Sequence, residues 1–159
     1  MKFIIIIGFL LTMVYCEPNY SNVTIKMKWN DIVQYHLNGP PRYVFTRHPD
    51  IQTKYLQHKK INSPLMPHIV EKYLQNKKWV IVDNEFPYYM DDGIHHKILW
   101  ISPQITKNKQ QIDKIIRSYT KMYHYDQYIY FENPTETRTI HGITHYHILI
   151  NNGQAPDKI

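Results

Sequence analysis

The amino-acid sequence predicts an α+β fold, because helical patterns dominate its first half and strand patterns its second half. Apolar residues recur at helical spacing through residues 29–76, and short apolar runs typical of strands follow residue 78. One amphipathic helix interrupts the strands. Since helices and strands do not alternate regularly, we expect N-terminal helices followed by an antiparallel or mixed sheet of about four strands with one inserted helix.

Length and composition favour one folded domain. The chain has 159 residues, of which 43% are hydrophobic and 14% aromatic, enough apolar material for a buried core. These proportions exclude a disordered or collagen-like chain. We expect a leader at residues 1–16, a short segment at 17–28, a single α+β domain at 29–150 and a tail at 151–159.

Three helices are predicted before residue 78, at residues 29–37, 50–59 and 63–76. Asn38-Gly39 is a stop signal for the first helix. Pro49 and Pro64 fit the first turns of the other two, where proline needs no hydrogen-bond donor. Ser63 is expected to cap the third helix, because a serine oxygen accepts hydrogen bonds from free backbone amides.

Four strands are predicted, at residues 79–82, 96–101, 128–131 and 143–150. The first is entirely apolar and is expected to be buried. A loop rich in Asp, Pro and Gly connects it to the second strand, which Ser102-Pro103 ends. Between the second and third strands, an apolar stripe that includes Ile112, Ile115 and Ile116 predicts a helix over residues 109–123.

The N-terminus has the pattern of a secretory signal peptide. Met1 and Lys2 precede an apolar run at residues 3–14, which is too short for a comfortable membrane span. An uncleaved N-terminal signal anchor is the alternative, and no second membrane span is predicted. Asn22-Val23-Thr24 is an N-glycosylation sequon. We therefore expect a secreted or ER-lumenal glycoprotein.

Cysteine content and charge exclude several function classes. The single cysteine, Cys16, lies at the end of the leader, so the mature chain would be cysteine-free, without disulfides, thiol catalysis or cysteine-ligated zinc. The formal net charge is +6, but the basic residues are spread over helical stretches among polar residues. This pattern is typical of solvated helix faces, and a nucleic-acid partner is not expected.

A small group of histidines is the main candidate for chemistry. His145 and His147 are two residues apart, which on a strand places both imidazoles on one face about 6.5 to 7 Å apart. His96 lies on another predicted strand. Three imidazoles on one sheet face could bind a metal, move a proton or form a covalent phospho-intermediate. The alternative is a polar strand face without chemistry.

The loop before His96 adds candidate polar and aromatic groups. Asn84, Asp91 and Asp92 could bring amide and carboxylate groups near the histidines, where carboxylates orient imidazoles or join a metal site. An ordinary turn explains the Asp91-Asp92-Gly93 sequence equally well. The run Phe86-Pro87-Tyr88-Tyr89 is either a rigid aromatic wall or part of the core.

The order of motifs resembles a known family. The motifs are Trp29-Asn30-Asp31-Ile32-Val33, Arg47-His48-Pro49, Tyr55-Leu56, Asn84-Glu85-Phe86-Pro87-Tyr88, Gly93-Ile94-His95-His96-Lys97-Ile98-Leu99-Trp100, Tyr130-Phe131-Glu132-Asn133 and His145-Tyr146-His147-Ile148. Together they resemble the domain of unknown function 3605 family, which includes the fungal N-acetylglucosamine-induced protein. The resemblance spans residues 29–150 and implies no established activity. Phe86 and Tyr89 stand where the family usually has Trp and Gly.

A more distant resemblance points to phosphorus chemistry. In the histidine-triad and galactose-1-phosphate uridylyltransferase superfamily, an Asn and a His face a His-x-His strand whose second histidine attacks a phosphorus atom. That resemblance implies His147 as the nucleophile, although Leu149 stands where a full triad has its third histidine. It also implies a small phosphorylated or sugar-nucleotide ligand.

These observations combine into one hypothesis for the site. We expect a His/Asn pocket in which His147, His145 and His96 are catalytic candidates and Asn84, Asn133 and Tyr88 are ligand-binding candidates. The cofactor is undetermined, and zinc is the candidate metal if the three histidines form a metal-dependent hydrolase. The competing class is a non-catalytic module that binds a glycan or a host protein through its aromatic residues.

Overall fold

The computed structural model describes residues 24–38, 45–105, 108–133, 140 and 143–152. The predicted leader and Asn22 lie outside these residues. The helices are α1 (Trp29–Asn38), α2 (Pro49–Asn62), α3 (Met66–Leu74) and α4 (Lys109–Met122), and the strands are β1 (Trp79–Asp83), β2 (Ile94–Ile101), β3 (Gln127–Phe131) and β4 (His145–Asn151). The predicted α+β class is confirmed.

The four strands form an open antiparallel sheet in the order β1-β2-β4-β3. In the register of the central pair, Trp100 lies opposite His145 and Ile98 opposite His147. Phe131 of β3 lies on the other side of His147. Because side chains alternate between faces, this register places His96, His145 and His147 on the same face of the sheet.

Separate apolar clusters cover the two faces of the sheet. On one face α4 contributes Ile112, Ile115 and Ile116, which pack with Leu99 and Ile148. On the other face α1 packs with β3 and β4, and α3 packs with β2. The candidate histidines lie on this second face, so α4 supports the sheet from behind the site.

The third helix differs from its prediction at both ends. Residues Ser63–Leu65 form a short 3-10 helix, so Leu65 and not Ser63 is the N-cap of α3, and Leu65 makes no side-chain cap. The reason is Pro67, which has no N–H to bond the Ser63 carbonyl at α-helical spacing, so that carbonyl accepts from Met66 instead. The helix ends at Leu74 because Gln75 adopts a left-handed conformation with φ of 46°.

The expectation of a buried first strand was wrong. β1 lies at the edge of the sheet, where Trp79 and Asp83 are exposed and the residues between them are half-buried. An apolar run cannot distinguish an edge strand from a central one, because strand order depends on pairing with distant segments. Among the described residues, no helix is long and apolar enough to cross a membrane.

Candidate functional site

A cavity of about 340 Å³ lies on the sheet face opposite α4. Its polar lining includes Asn84, Asn133, His145 and His147, which the sequence predicted as site residues. It also includes Arg47, which the sequence did not indicate. Aromatic side chains form much of the remaining wall, among them Tyr55, Phe86, Tyr88, Trp100 and Phe131. A site of this size accommodates a small molecule.

His96 and His147 make a direct contact across β2 and β4. Nε2 of His96 lies 2.8 Å from Nδ1 of His147, and the side chains of both residues are buried. His96 is not part of the cavity lining, whereas His147 is. His96 therefore lies behind His147 and holds it, and His147 presents the imidazole edge that faces the cavity.

The backbone amide of Tyr88 determines the protonation pattern of this pair. It donates to Nδ1 of His96 over 3.2 Å, so Nδ1 carries no proton and a neutral His96 is protonated at Nε2. The Nε2–H of His96 then donates to Nδ1 of His147. A neutral His147 must accordingly carry its own proton on Nε2.

Asn133 lies at the cavity end of this chain of hydrogen bonds. Its Nδ2 is 2.9 Å from Nε2 of His147, and its side chain also hydrogen-bonds the Tyr88 hydroxyl. The Nε2–H of His147 needs an acceptor, so the amide rotamer that satisfies it is the flipped one, with Oδ1 facing His147. The structure therefore brings Asn133, Tyr88 and His147 together, as the site hypothesis requires.

Asn84 lines the cavity, but its carboxamide also serves the protein. Oδ1 accepts from the Phe86 backbone amide over 3.0 Å, which fixes Nδ2 as the group facing His96. Nδ2 is 3.2 Å from both Nδ1 and Nε2 of His96, so it contacts the imidazole ring and is not aimed at one nitrogen, while the Tyr88 amide is the donor to Nδ1. Asn84 thus contacts His96 and stiffens the loop that carries Phe86.

His145 lies beside this chain of hydrogen bonds. Its Nδ1 is 3.0 Å from the Ile143 carbonyl, and its ring packs against Trp100 at 5.0 Å between centroids. The rings of His145 and His147 are 5.6 Å apart in an edge-to-face arrangement. A carbonyl only accepts, so Nδ1 of His145 is the protonated nitrogen and Nε2 keeps a lone pair when the ring is neutral.

The environment keeps the paired imidazoles neutral. Burial, followed by His147 and Arg47, holds the pKa of His96 well below its usual 6.5. Burial, followed by His145 and Arg47, lowers the pKa of His147 to about 3. At neutral pH both rings are uncharged, so the cavity wall contains a neutral imidazole at His147, bonded to Asn133, rather than an imidazolium.

Sequence reasoning missed Arg47 as a site residue. Its Nε donates to the Phe86 carbonyl over 2.9 Å, and its guanidinium lies 3.9 Å from the centroid of the Tyr55 ring. Within the described part of the chain, no carboxylate forms an ion pair with Arg47. Arg47 immediately precedes the His48 cap of α2, but nothing in that local pattern shows that it faces distant β4.

Acidic side chains balance Arg47 in the cavity wall. Asp83 is paired with Lys97, and Glu85 accepts from the Tyr73 hydroxyl over 3.0 Å. Glu132 lines the cavity next to Asn133. The wall therefore combines the cations Arg47 and Lys59 with the carboxylates Asp83, Glu85 and Glu132.

Asp91 and Asp92 do not join the histidines. Asp92 is exposed and pairs with Lys26 at 3.0 Å, and the Asp91 backbone amide bonds the Met27 carbonyl. Neither residue lines the cavity. They connect the loop to the segment before α1, which agrees with their alternative interpretation as a turn.

The arrangement of imidazoles does not form a metal site. Histidine nitrogens lie about 2.0 to 2.1 Å from a zinc ion that they bind. Two nitrogens bound to the same zinc ion are therefore farther apart than the 2.8 Å between Nε2 of His96 and Nδ1 of His147. Among the described residues, no group of three His, Cys, Asp or Glu side chains could hold a metal ion. These two nitrogens bond each other instead of converging on a shared point.

The fold and site define an α+β domain with a buried histidine pair behind an aromatic, arginine-containing cavity. The family model for proteins of unknown function, DUF3605, matches residues 22–151, and the chain belongs to that family. The crystal structure of a protein named HTC1 is similar with a TM-score of 0.57 and 19% identity, covering 81% of this chain and 89% of that one. At that identity the likeness concerns the fold alone. No curated protein matches the sequence significantly.

Proposed function

We propose that the cavity binds a small phosphorylated or sugar-nucleotide ligand. The observation that carries this proposal is the position of Arg47, whose guanidinium lines the cavity without a carboxylate partner among the described residues. A planar guanidinium suits a phosphate, because it can donate two parallel hydrogen bonds to phosphate oxygens.

The remaining wall suits a sugar or nucleoside attached to that phosphate. Neutral imidazole and carboxamide groups at His147 and Asn133 suit an uncharged polar ring, and Glu132 adds a carboxylate to the wall. Aromatic faces at Tyr55 and Phe86 provide surfaces on which a sugar or base stacks. This combination favours a ligand with one anionic group and a neutral ring.

A ligand panel tests the proposal. Thermal shifts would be measured with glucose, inorganic phosphate, glucose 1-phosphate and UDP-glucose, because selective binding stabilises the folded state in proportion to the logarithm of concentration over Kd. We expect a phosphorylated sugar to raise Tm and glucose to have no effect. Arg47→Met should abolish the shift, and Arg117→Met on exposed α4 is the matched control. Equal responses of both variants would contradict the proposal.

A catalytic version of the proposal places His147 as a nucleophile toward phosphorus with His145 supporting proton transfer. The supporting observation is that both imidazoles line the cavity, with ring centroids 5.6 Å apart. As Nε2 of His147 attacks the phosphorus of a phosphate ester, its proton passes to Nε2 of His145. The P–O bond to the leaving group breaks as the N–P bond forms, and His145 returns the proton to the leaving oxygen. Phosphohistidine formation that disappears in His147→Ala supports catalysis. Retained ligand binding in His147→Ala without any trapped phosphate supports a non-catalytic binding module.

We also propose that the domain functions in the secretory pathway or outside the cell. Support comes from the leader pattern at residues 1–16 and the sequon at Asn22, together with a chain whose single cysteine lies in that leader. N-terminal sequencing of secreted protein shows whether the leader is removed. A mass decrease after glycosidase treatment, absent in Asn22→Gln, tests glycosylation, and an unglycosylated cytosolic protein would contradict this proposal.

A further inference from the structure

The outer edge of β1 presents a row of backbone groups that nothing in the described part of the chain bonds. The backbone amide of Asn84 donates to the His96 carbonyl over 2.9 Å, and the backbone amide of Ser102 donates to the Lys78 carbonyl over 3.1 Å. The even-numbered residues of β1 and its flanks therefore direct their backbone groups toward β2. By the alternation of an antiparallel pair, Trp79, Ile81 and Asp83 direct their N–H and C=O groups away from β2. An exposed edge of this kind is a template for another strand.

The charges around β1 are arranged for pairing with itself. Lys77 and Lys78 precede the strand, whereas Asp83 and Glu85 end and follow it. In an antiparallel pair the start of one strand lies beside the end of the other. We propose that β1 pairs antiparallel with β1 of a second copy of this chain, joining the two sheets into one continuous sheet in a homodimer.

The outward backbone groups restrict the register of this pairing. Only residues of β1 that direct their N–H and C=O groups outward can form hydrogen-bonded pairs with the second copy. The number of such pairs is largest when the two-fold axis passes through Ile81. Ile81 then faces Ile81 of the second copy, and Trp79 faces its Asp83. The same register places Lys77 opposite Glu85 of the second copy, so opposite charges meet at both ends of the interface.

Trp79 adds a side chain suited to an interface. It is 36% exposed and lines a shallow cavity of about 270 Å³ with Gln111, Lys114, Ile115 and Ser118 of α4. Tryptophan is enriched at protein interfaces because it buries a large surface while its ring N–H can still bond. A second copy at the β1 edge would cover this ring.

The opposite edge of the sheet lacks this complementarity. β3 is flanked by acidic residues at both ends, Asp126 and Glu132. Antiparallel pairing of β3 with itself would place these like charges next to each other, which is unfavourable. The charge pattern therefore selects the β1 edge for a symmetric interface.

Sedimentation velocity over a series of concentrations, from a few micromolar to several hundred micromolar, tests the dimer. We expect the purified chain to dimerise and Lys77→Glu with Lys78→Glu to weaken the dimer at least about tenfold, equivalent to about 1.4 kcal/mol. Lys54→Glu with Lys60→Glu, on exposed positions of α2, is the matched control for net charge. A purely monomeric parent, or equal effects of both double variants, would overturn the proposal.

Charge reversal at the other end of β1 provides the complementary test. The variant carrying Asp83→Lys and Glu85→Lys should also dimerise poorly by itself, but an equimolar mixture with the Lys77→Glu/Lys78→Glu variant should associate. Absence of association in that mixture, with both variants folded by circular dichroism, would contradict the charge pairing.

Amide hydrogen exchange tests the edge directly and needs no variant. As protein concentration increases, the amides of Trp79, Ile81 and Asp83 should gain protection, whereas those of Val80 and Val82, already bonded to β2, should not change. Concentration-dependent protection along β3 instead of β1 would overturn the proposed interface.

Discussion

A buried backbone contact determines the chemistry of the His96 and His147 pair. The Tyr88 amide donates to His96, and every proton position after it follows from that first hydrogen bond. A carboxylate at the same place would make His147 a stronger base, as in a catalytic triad. Because a backbone amide is a donor only, it fixes the proton positions of the pair, burial keeps both rings neutral, and the Nε2–H of His147 points to Asn133 at the cavity.

The first prediction concerns the dependence of stability on pH. The pKa of His147 is lowered to about 3 and that of His96 is also lowered, so both bind protons more readily in the unfolded chain, where the pKa is about 6.5. Stability is therefore complete above pH 6.5 and is lost as pH falls below it, by up to about 1.4 kcal/mol per pH unit for each imidazole. Denaturant titrations between pH 7 and 5 measure this loss.

His147→Gln should make that pH dependence shallower, because it removes one of the two buried titrating groups. His95→Gln is the matched control, since His95 is exposed and lies on the other face of β2. If the free energy of unfolding depends on pH equally in the parent and in His147→Gln, the fold does not hold the His147 imidazole neutral. Burial is the largest cause of the lowered pKa of His147, and repulsion from His145 adds to it.

At the scale of elements, helix ends show where local sequence rules hold and where they fail. Asn108 forms a capping box with Gln111 at the start of α4. The cap and the amphipathic stripe therefore both indicate the same helix. The end of α3 has no glycine, and Gln75 and Asn76 both adopt positive φ. The chain carries a conformational cost at this position that the fold tolerates.

Replacing Gln75 by glycine should relieve that cost. Gly adopts the left-handed conformation freely, so we expect Gln75→Gly to raise the free energy of unfolding by about 1 kcal/mol. Gln75→Ala retains a Cβ atom and serves as the control, with no such gain. Chemical denaturation of the three proteins decides the prediction, which fails if the glycine variant is no more stable than the alanine variant.

For the whole molecule, the sheet separates a supporting face from a site face. Ile116 of α4 is fully buried against the supporting face of the sheet, and Ile32 of α1 is fully buried on the cavity side, where it also lines the cavity. We expect either change to alanine to cost about 2 to 5 kcal/mol of unfolding free energy. Only Ile32→Ala should also reduce the Tm increase produced by a bound phosphorylated sugar, as thermal shifts would show.

Much of this architecture was predictable because it depends on local periodicity. Strand parity alone places His145 and His147 on one face, and amphipathic spacing alone predicts α4. The contact between His96 and His147 was not predictable, because it depends on the register between β2 and β4, which no local pattern specifies. The role of Arg47 and the edge position of β1 also depend on packing between distant segments.

The fold holds His96 and His147 neutral, with the Nε2–H of His147 directed at Asn133 in the cavity wall. The most direct measurement is the side-chain nitrogen NMR spectrum of histidine-labelled protein between pH 7 and 5. We expect both rings to carry their proton on Nε2 and to remain neutral throughout, and the Nε2 resonance of His147 to shift when a phosphorylated sugar binds. A His147 ring that carries its proton on Nδ1, or that becomes charged near pH 6.5, would contradict this expectation.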